Sequence, residues 1–167
     1  MIQIIRLITV IACAAAAFAV HPAEKFPSRP VRMIIPYAPG GATDITARLL
    51  QPRISELWGQ PVIVDNRAGA SGNIALELAG RASPDGYTLF VGNVSTNAIN
   101  ETTFSSLKVK PSRDLTGVTN LIQLPHLWVV NPSIPASTLK ELVAYVKKSG
   151  AKLNYGSAGV GAYPHLD

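Results

Sequence analysis

Cysteine is nearly missing from this sequence: the only one, Cys13, lies in an apolar stretch near the start, so neither a disulfide framework nor a cysteine-built metal site is available. The three histidines, at positions 21, 126 and 165, stand far apart and offer no metal-ligand spacing. No metal or other cofactor is expected. Charge is also scarce, at 15% of residues, and the basic side chains are scattered, with Lys147 and Lys148 the only adjacent pair. A nucleic-acid interface wants a clustered basic face, so the net charge of +5 reads as a mildly basic surface and no nucleic-acid partner is expected. There is no Walker-type phosphate loop, no intact G-x-G-x-x-G, no internal repeat, and no spanning-length apolar run.

What is present is a 47% hydrophobic chain of 167 residues, enough for a packed core and too apolar for a disordered tail. Thirteen Gly and 13 Pro without a period imply short elements joined by tight turns. The apolar excess begins at once. Residues 7–20 form an uncharged run behind Arg6, shorter than the roughly 20 residues of a spanning helix, and Ala17-Phe18-Ala19 supplies a small-x-small cleavage site. A secretory signal peptide cut after Ala19 is expected, placing the mature protein in the periplasm. A lipoprotein box around Cys13, with a lipid anchor there, is the less favoured alternative, because half of the apolar run would follow that cut.

Residues 20–30 are a Pro-rich leader. After them, strand and helix patterns alternate: a strand at 31–35, a helix at 44–58, a strand at 61–65, a helix from 73 to about 82, and a strand at 87–91. The first helix is expected to bury Ile45, Leu49, Leu50, Ile54, Leu57 and Trp58, and Pro52 to kink or break it. A short helix is expected within 93–107, an extended segment at 115–123 and a strand at 127–130. A helix should follow, starting near Thr138, presenting Leu139, Leu142, Val143 and Val146 at helical spacing and ending at Gly150. A strand at 153–156 and the first turn of a further helix close the sequence. Alternation with such short connections predicts an α/β fold with a parallel sheet and crossover helices.

Four strand ends lead into loops of small residues: Pro39-Gly40-Gly41-Ala42-Thr43-Asp44, then Gly69-Ala70-Ser71-Gly72-Asn73, then Gly92-Asn93-Val94-Ser95-Thr96, and Gly156-Ser157-Ala158-Gly159-Val160-Gly161. In a parallel sheet such loops share the carboxyl edge, where helix N-termini aim free N–H groups and glycines permit close approach. Together they suggest an anion site without Lys or Arg in the loop tips. Each also has a plainer reading: Gly40-Gly41 as a tight turn, Asp44 or Thr43 as a helix cap, Ser71, Ser95 and Thr96 as turn residues, Ser157 as a cap. A nucleophile elbow at Ser157 lacks its first glycine, and His165 lies too near in sequence to be an obvious triad base.

The strings RPVRMIIPYAPGGATDITARLL, GQPVIVDNRAGASGNIALELAGRASPDGYTLFVG and LNYGSAGVGAYPHL resemble the substrate-binding receptors of tripartite tricarboxylate transporters, the Bug family. The likeness runs from about Phe26 to Leu166. It implies a periplasmic binding protein of type II-like architecture, two α/β lobes closing on a small carboxylate that is handed to an integral-membrane permease. It implies ligand contacts from Tyr37, Pro39, Gly40, Gly41, Ala42, Thr43, Asp44, Ala70, Ser71, Gly72, Asn73, Asn93, Ser95 and Thr96 on the first lobe. Ser157, Ala158, Gly159, Val160 and Gly161 would contribute from the second. The lobes are expected at 31–124 and 125–167. Family members are longer and complete the first lobe with a returning C-terminal segment, so this chain is expected to be an N-terminal part and, alone, a poor receptor. The alternatives are a hydrolase acting on a small carboxylate or ester through Ser157, and a sensor subunit of the same fold. Export is directly testable. The periplasmic form should begin at Val20, and deletion of residues 2–19 should retain the protein in the cytoplasm; N-terminal sequencing that finds Met1 in the periplasm refutes the cut.

Overall fold

The computed structural model describes residues 25–123, 125, 127–150, 154–157 and 159–166. The proposed signal segment, Cys13, His21, His126 and Ala158 lie outside them. Strand β1 (Val31–Ile35) is followed by helix α1 (Ala42–Trp58), strand β2 (Val62–Asn66), helix α2 (Asn73–Gly80) and strand β3 (Thr88–Phe90). A 3-10 turn (Ala70–Gly72) precedes α2, a π-helical turn (Ser95–Ile99) runs into α3 (Asn100–Thr103), and α4 (Pro111–Asp114), α5 (Leu139–Ser149) and α6 (Tyr163–Leu166) complete the described elements. The three strands form one parallel sheet in the order β2-β1-β3, with Val31 opposite Val62 and Arg32 opposite both Ile63 and Thr88. The sequence reading of these strands and their crossover helices is therefore met to within a residue or two at most boundaries.

β1 is the central strand, and its composition explains why. Met33, Ile34 and Ile35 are all buried, so the strand is covered on both faces, as a middle strand of a parallel sheet must be. Met33 and Ile35 share a cluster with Val62, Val91 and Ala47 of α1, closed at its margin by Ile54, Trp58, Val64 and Leu89. Ile34 points to the opposite face by the two-residue period, and α2 packs against β1 and β3. Arg32 bonds Asp65 of the adjacent strand at 2.7 Å through Nε, and Arg67 adds a second ion pair to the same carboxylate.

Helix α1 departs from the expected face. Asp44, Thr46 and Ala47 are its buried residues, whereas Ile45, Leu49 and Leu57 are exposed, Leu49 at 75%. Small side chains win the sheet-facing positions because they let the helix approach closely, and Ile54 and Trp58 fill in further along. Pro52 does not divide the helix: it sits on the exposed side, where its ring faces solvent and the carbonyl it leaves without a donor can be hydrated.

The strand expected at 127–130 does not form, and 154–156 carries no strand either, Leu153 lying outside the described residues. A strand exists by virtue of a paired neighbour, and none of the described strands is beside these segments; Leu127, Trp128 and Val129 are exposed. Residues 115–123 likewise form no regular element. Helix α5 matches its expectation closely. Thr138 caps it in a reciprocal box with Glu141, Gly150 ends it in the left-handed conformation, and none of its residues is buried.

The revised α1 face makes a discriminating pair of substitutions. Leu49→Ala should change stability by less than about 0.5 kcal/mol, while Ala47→Leu, which forces volume into the cluster beneath, should cost about 1–3 kcal/mol. Urea unfolding of both variants measures this, and the reverse order would restore the face expected from hydrophobicity.

Candidate functional site

The strand order places a topological switch at β1 and β3. The chain leaves β1 toward β2 on one side, then crosses back to β3 on the other, so a crevice opens between the carboxyl ends of β1 and β3. A cavity of about 960 Å³ lies there. Its walls come from the β1–α1 loop (Tyr37, Ala38, Pro39, Gly41, Ala42, Thr43) with Thr46, and from the β3 end (Phe90 to Ser95, with Asn97). Residues 119–123 and Tyr163 close the remaining sides.

The β1–α1 loop is shaped by a buried carboxylate. Asp44 accepts the Gly40 N–H at 2.9 Å, the Asn66 side-chain amide at 2.9 Å and Arg48 Nε at 3.0 Å, and Asn66 also donates to the Tyr37 carbonyl at 3.0 Å. Gly40 turns the loop with φ of +90°, a conformation that costs a side chain dearly. The Arg48 guanidinium, then the Gly40 amide and the Asn66 amide, hold the Asp44 carboxyl down at about 2, against burial, which opposes ionisation. Asp44 and Gly40, both expected at the site, therefore bond to each other, and neither lines the cavity. The start of α1 stays open: Gly41 is its N-cap with no side-chain cap, leaving the first-turn amides of Ala42 and Thr43 beside the cavity without a capping partner.

At the β3 end, Asn93 and Thr96 cap each other, Asn93 N–H donating to Thr96 Oγ1 at 3.0 Å and Thr96 N–H to Asn93 Oδ1 at 3.3 Å. The Tyr37 hydroxyl donates to the same Asn93 oxygen at 3.2 Å, joining the two loops. Gly92 is demanded by contact: a Cβ there would fall 2.0 Å from Asn97 Oδ1. Asn93 lines the cavity, and Ser95 and Thr96, both fully buried, stand behind it.

The described residues of the other two expected loops do not line this cavity. Residues 69–72 run through four consecutive positive φ values, including 47° at Ala70 and 54° at Ser71. Buried Asn100 stabilises this turn, its side-chain amide donating to the Ser71 carbonyl at 2.9 Å and to Asn73 Oδ1 at 2.6 Å. The loop after β2 does not line the cavity, though Gly72 packs against Thr96 and Tyr37; Ala70 and Asn73 line a separate groove of about 600 Å³ with Arg67 and Phe104. Ser71 Oγ donates to the Val160 carbonyl at 2.6 Å, Gly159 packs on Ser71, Gly161 on Phe104, and Tyr163 N–H donates to Ser95 Oγ at 2.9 Å. The final loop is thereby fastened to the two others. Tyr163, not foreseen, enters the cavity because that loop turns into α6. Thr46, Phe90 and Asn97 were equally unforeseen, though the first two follow from the helix and strand already recognised.

Ser157 and His165 do approach each other, at 3.3 Å to Nδ1, with the Tyr155 hydroxyl 3.0 Å from the same nitrogen. The group is exposed and stands outside the cavity lining, and these hydrogen bonds bring no carboxylate to orient the imidazole. Among the described residues no cluster suits a metal ion, and no helix is long and apolar enough to cross a membrane.

The Asp44 carboxyl yields a pH prediction. Its folded-state pKa of about 2 lies below the ordinary 3.8, so the unfolded chain takes up the proton first; the stabilisation is complete above the ordinary value and disappears as pH falls toward about 2. Asp44→Asn should therefore unfold at lower urea than the parent at about pH 6, and the gap between the two should narrow at about pH 2.5. A gap independent of pH would remove the carboxylate from this role.

Comparison with known proteins identifies relatives of the chain. A family model described as the Tripartite tricarboxylate transporter family receptor (TctC) matches residues 46–167. A UPF0065 protein of Bordetella pertussis is 37% identical over 164 residues, 98% of this chain and 50% of that protein. Among solved structures, MatC of Rhodopseudomonas palustris with bound malate is similar at a TM-score of 0.76 and 36% identity, over 83% of this chain and 47% of MatC. Rpa4515 of R. palustris with adipate is similar at 0.76 and 34%, over 82% and 46%. The chain spans about half the length of the curated relatives it matches. With the family model running from within α1 to residue 167 and a relative aligned along nearly the whole sequence, the chain belongs to the tripartite tricarboxylate transporter receptor family.

Proposed function

We propose that this chain forms the carboxylate-binding part of a periplasmic solute receptor, which closes on its ligand and delivers it to a tripartite tricarboxylate-type permease. The observation that carries this is the open start of α1 at the cavity between β1 and β3. A 17-residue helix directs its partial positive charge and its unpaired amides at that point, and a carboxylate satisfies both. Malate and adipate in the two similar proteins are carboxylates. On this reading Gly41, Ala42 and Thr43 hold the carboxylate from the backbone, Asn93 adds a side-chain contact, and Asp44, Asn73, Ser95 and Thr96 position the loops. Tyr163, carried by the turn that follows the loop from Ser157 to Gly161, contributes to the facing side, where two lobes would close on one ligand. Export through the N-terminal segment brings the receptor to the compartment where the permease presents its outer face. Binding without turnover is the expected chemistry; the exposed Ser157–His165 contact is the one feature on the side of a hydrolase, and recovery of ligand unchanged after incubation argues against it.

The first-turn amides are testable one at a time. Ala42 is the first residue of α1, where proline is well accepted, and Gly41 already has the extended conformation, φ −77° and ψ 164°, that a residue before proline prefers. Ala42→Pro should keep the fold and remove one N–H from the cavity. A hydrogen bond to a charged group is worth about 1.5–3 kcal/mol, so carboxylate affinity should fall roughly tenfold or more in calorimetric titration with an unchanged melting temperature of the free protein. Unchanged affinity would place the carboxylate elsewhere.

A further inference from the structure

The segment that carries Tyr163 into the cavity wall meets the rest of the protein through its backbone. Ser71 Oγ donates to the Val160 carbonyl at 2.6 Å, and the Tyr163 N–H donates to Ser95 Oγ at 2.9 Å. Glycines make that reach possible. A Cβ at Gly159 would stand 3.0 Å from Ser71 Oγ, the oxygen that bonds Val160, and a Cβ at Gly161 would stand 3.0 Å from the Phe104 ring and 3.1 Å from the Thr103 methyl. Ala162, which follows, is fully buried. Sealing one alanine removes little apolar surface from water, so the two directional hydrogen bonds set the register in which this segment docks.

The two hydroxyls stand on a common base. Ser71 belongs to the 3-10 turn after β2 and Ser95 to the π-helical turn after β3. Asn100 joins these turns by donating to the Ser71 carbonyl, and Gly72 abuts Thr96 so closely that a Cβ there would fall 2.5 Å from its methyl. The same base reaches the cavity, because Thr96 and Asn93 cap each other and the Tyr37 hydroxyl bonds Asn93. A segment fastened by two hydrogen bonds and a buried alanine is of the kind that opens locally while the sheet beneath it stays closed.

We infer that Ser71 and Ser95 form a latch, two positioning residues that dock the 159–163 segment as one unit and set Tyr163 in the cavity wall, so that docking and occupation of the cavity favour each other. This deepens the receptor reading of the same cavity and rests on it. A ligand that reaches from the start of α1 to Tyr163 binds the docked arrangement more tightly than the undocked one, and that difference in affinity shifts the population. Neither serine has to touch the ligand for this.

The test is amide hydrogen exchange, read residue by residue, on the full chain and on Ser71→Ala, Ser95→Ala and the double variant, each free and with malate, adipate or citrate. Alanine suits position 71, where φ is 54°, since Ala70 already holds 47°. Ser71→Ala leaves the Tyr163 bond to Ser95 in place, yet it should speed exchange at the Tyr163 amide roughly three- to tenfold, with β1 unchanged. Exchange at Tyr163 that ignores Ser71→Ala overturns the latch and leaves two separate contacts. Faster exchange in β1 by the same factor also overturns it, because the serines are then general stabilisers of the fold. In the parent, an acid that protects the Ala42 and Thr43 amides should also slow exchange at Tyr163, and the double variant should lose most of that slowing. Protection at 42–43 alone overturns the coupling while the receptor reading stands. Protection of neither segment by any of the three acids overturns the receptor reading and the coupling together, with the latch itself still decided by the free proteins.

Discussion

The site depends on one buried carboxylate. Asp44, in the first turn of α1, reaches back to the amide of Gly40, across to Asn66 at the end of β2, and along the helix to Arg48. Three parts of the backbone are thus tied to one point: the loop after β1, the start of α1 and the last residue of the neighbouring strand. Negative charge near a helix start is favourable in itself, and here the same charge also organises the loop that leaves the next amides open. The sheet supplies the positions, but the loop's course across the crevice follows from this group.

That arrangement explains how four similar glycine-rich loops come to different uses. The loops after β1 and β3 flank the switch point and wall the cavity. The loop after β2 is held by Asn100, and the 159–163 loop fastens onto it through Ser71 and onto the π-helical turn through Ser95. Hydroxyls that look alike in sequence thus divide between lining and support, and the division is set by strand order rather than by the residues themselves.

The parallel α/β character was legible because period and punctuation agree at residues 31–91: apolar strands, short Gly and Pro turns, helices between. The loops toward the ligand edge were legible for the same reason. Strand order was not, because nothing in a strand's own residues names its neighbour, and with it went the knowledge of which loops share the cavity. The face of α1 was misread since Ile45 and Leu49 outweigh Thr46 and Ala47 on any hydrophobic scale, whereas close helix–sheet approach rewards the smaller pair. Residues 127–130 look like a strand by composition, but none of the described strands pairs with them. The role of Asp44 was open in sequence between cap and contact, and only the positions of Asn66 and Gly40 decide how it is used.

The left-handed run at residues 69–72 bears on how the gene can change. Ala70 is exposed and Ser71 half-buried, positions where drift is ordinarily free, yet both are held at positive φ, which β-branched side chains resist. Substitution to valine, isoleucine or threonine is therefore closed off at surface sites by backbone geometry alone, and glycine or asparagine is the easy replacement. A map of tolerated changes across this protein would show a surface loop as restrictive as the interior of the sheet, a restriction that backbone geometry imposes whatever else the loop touches.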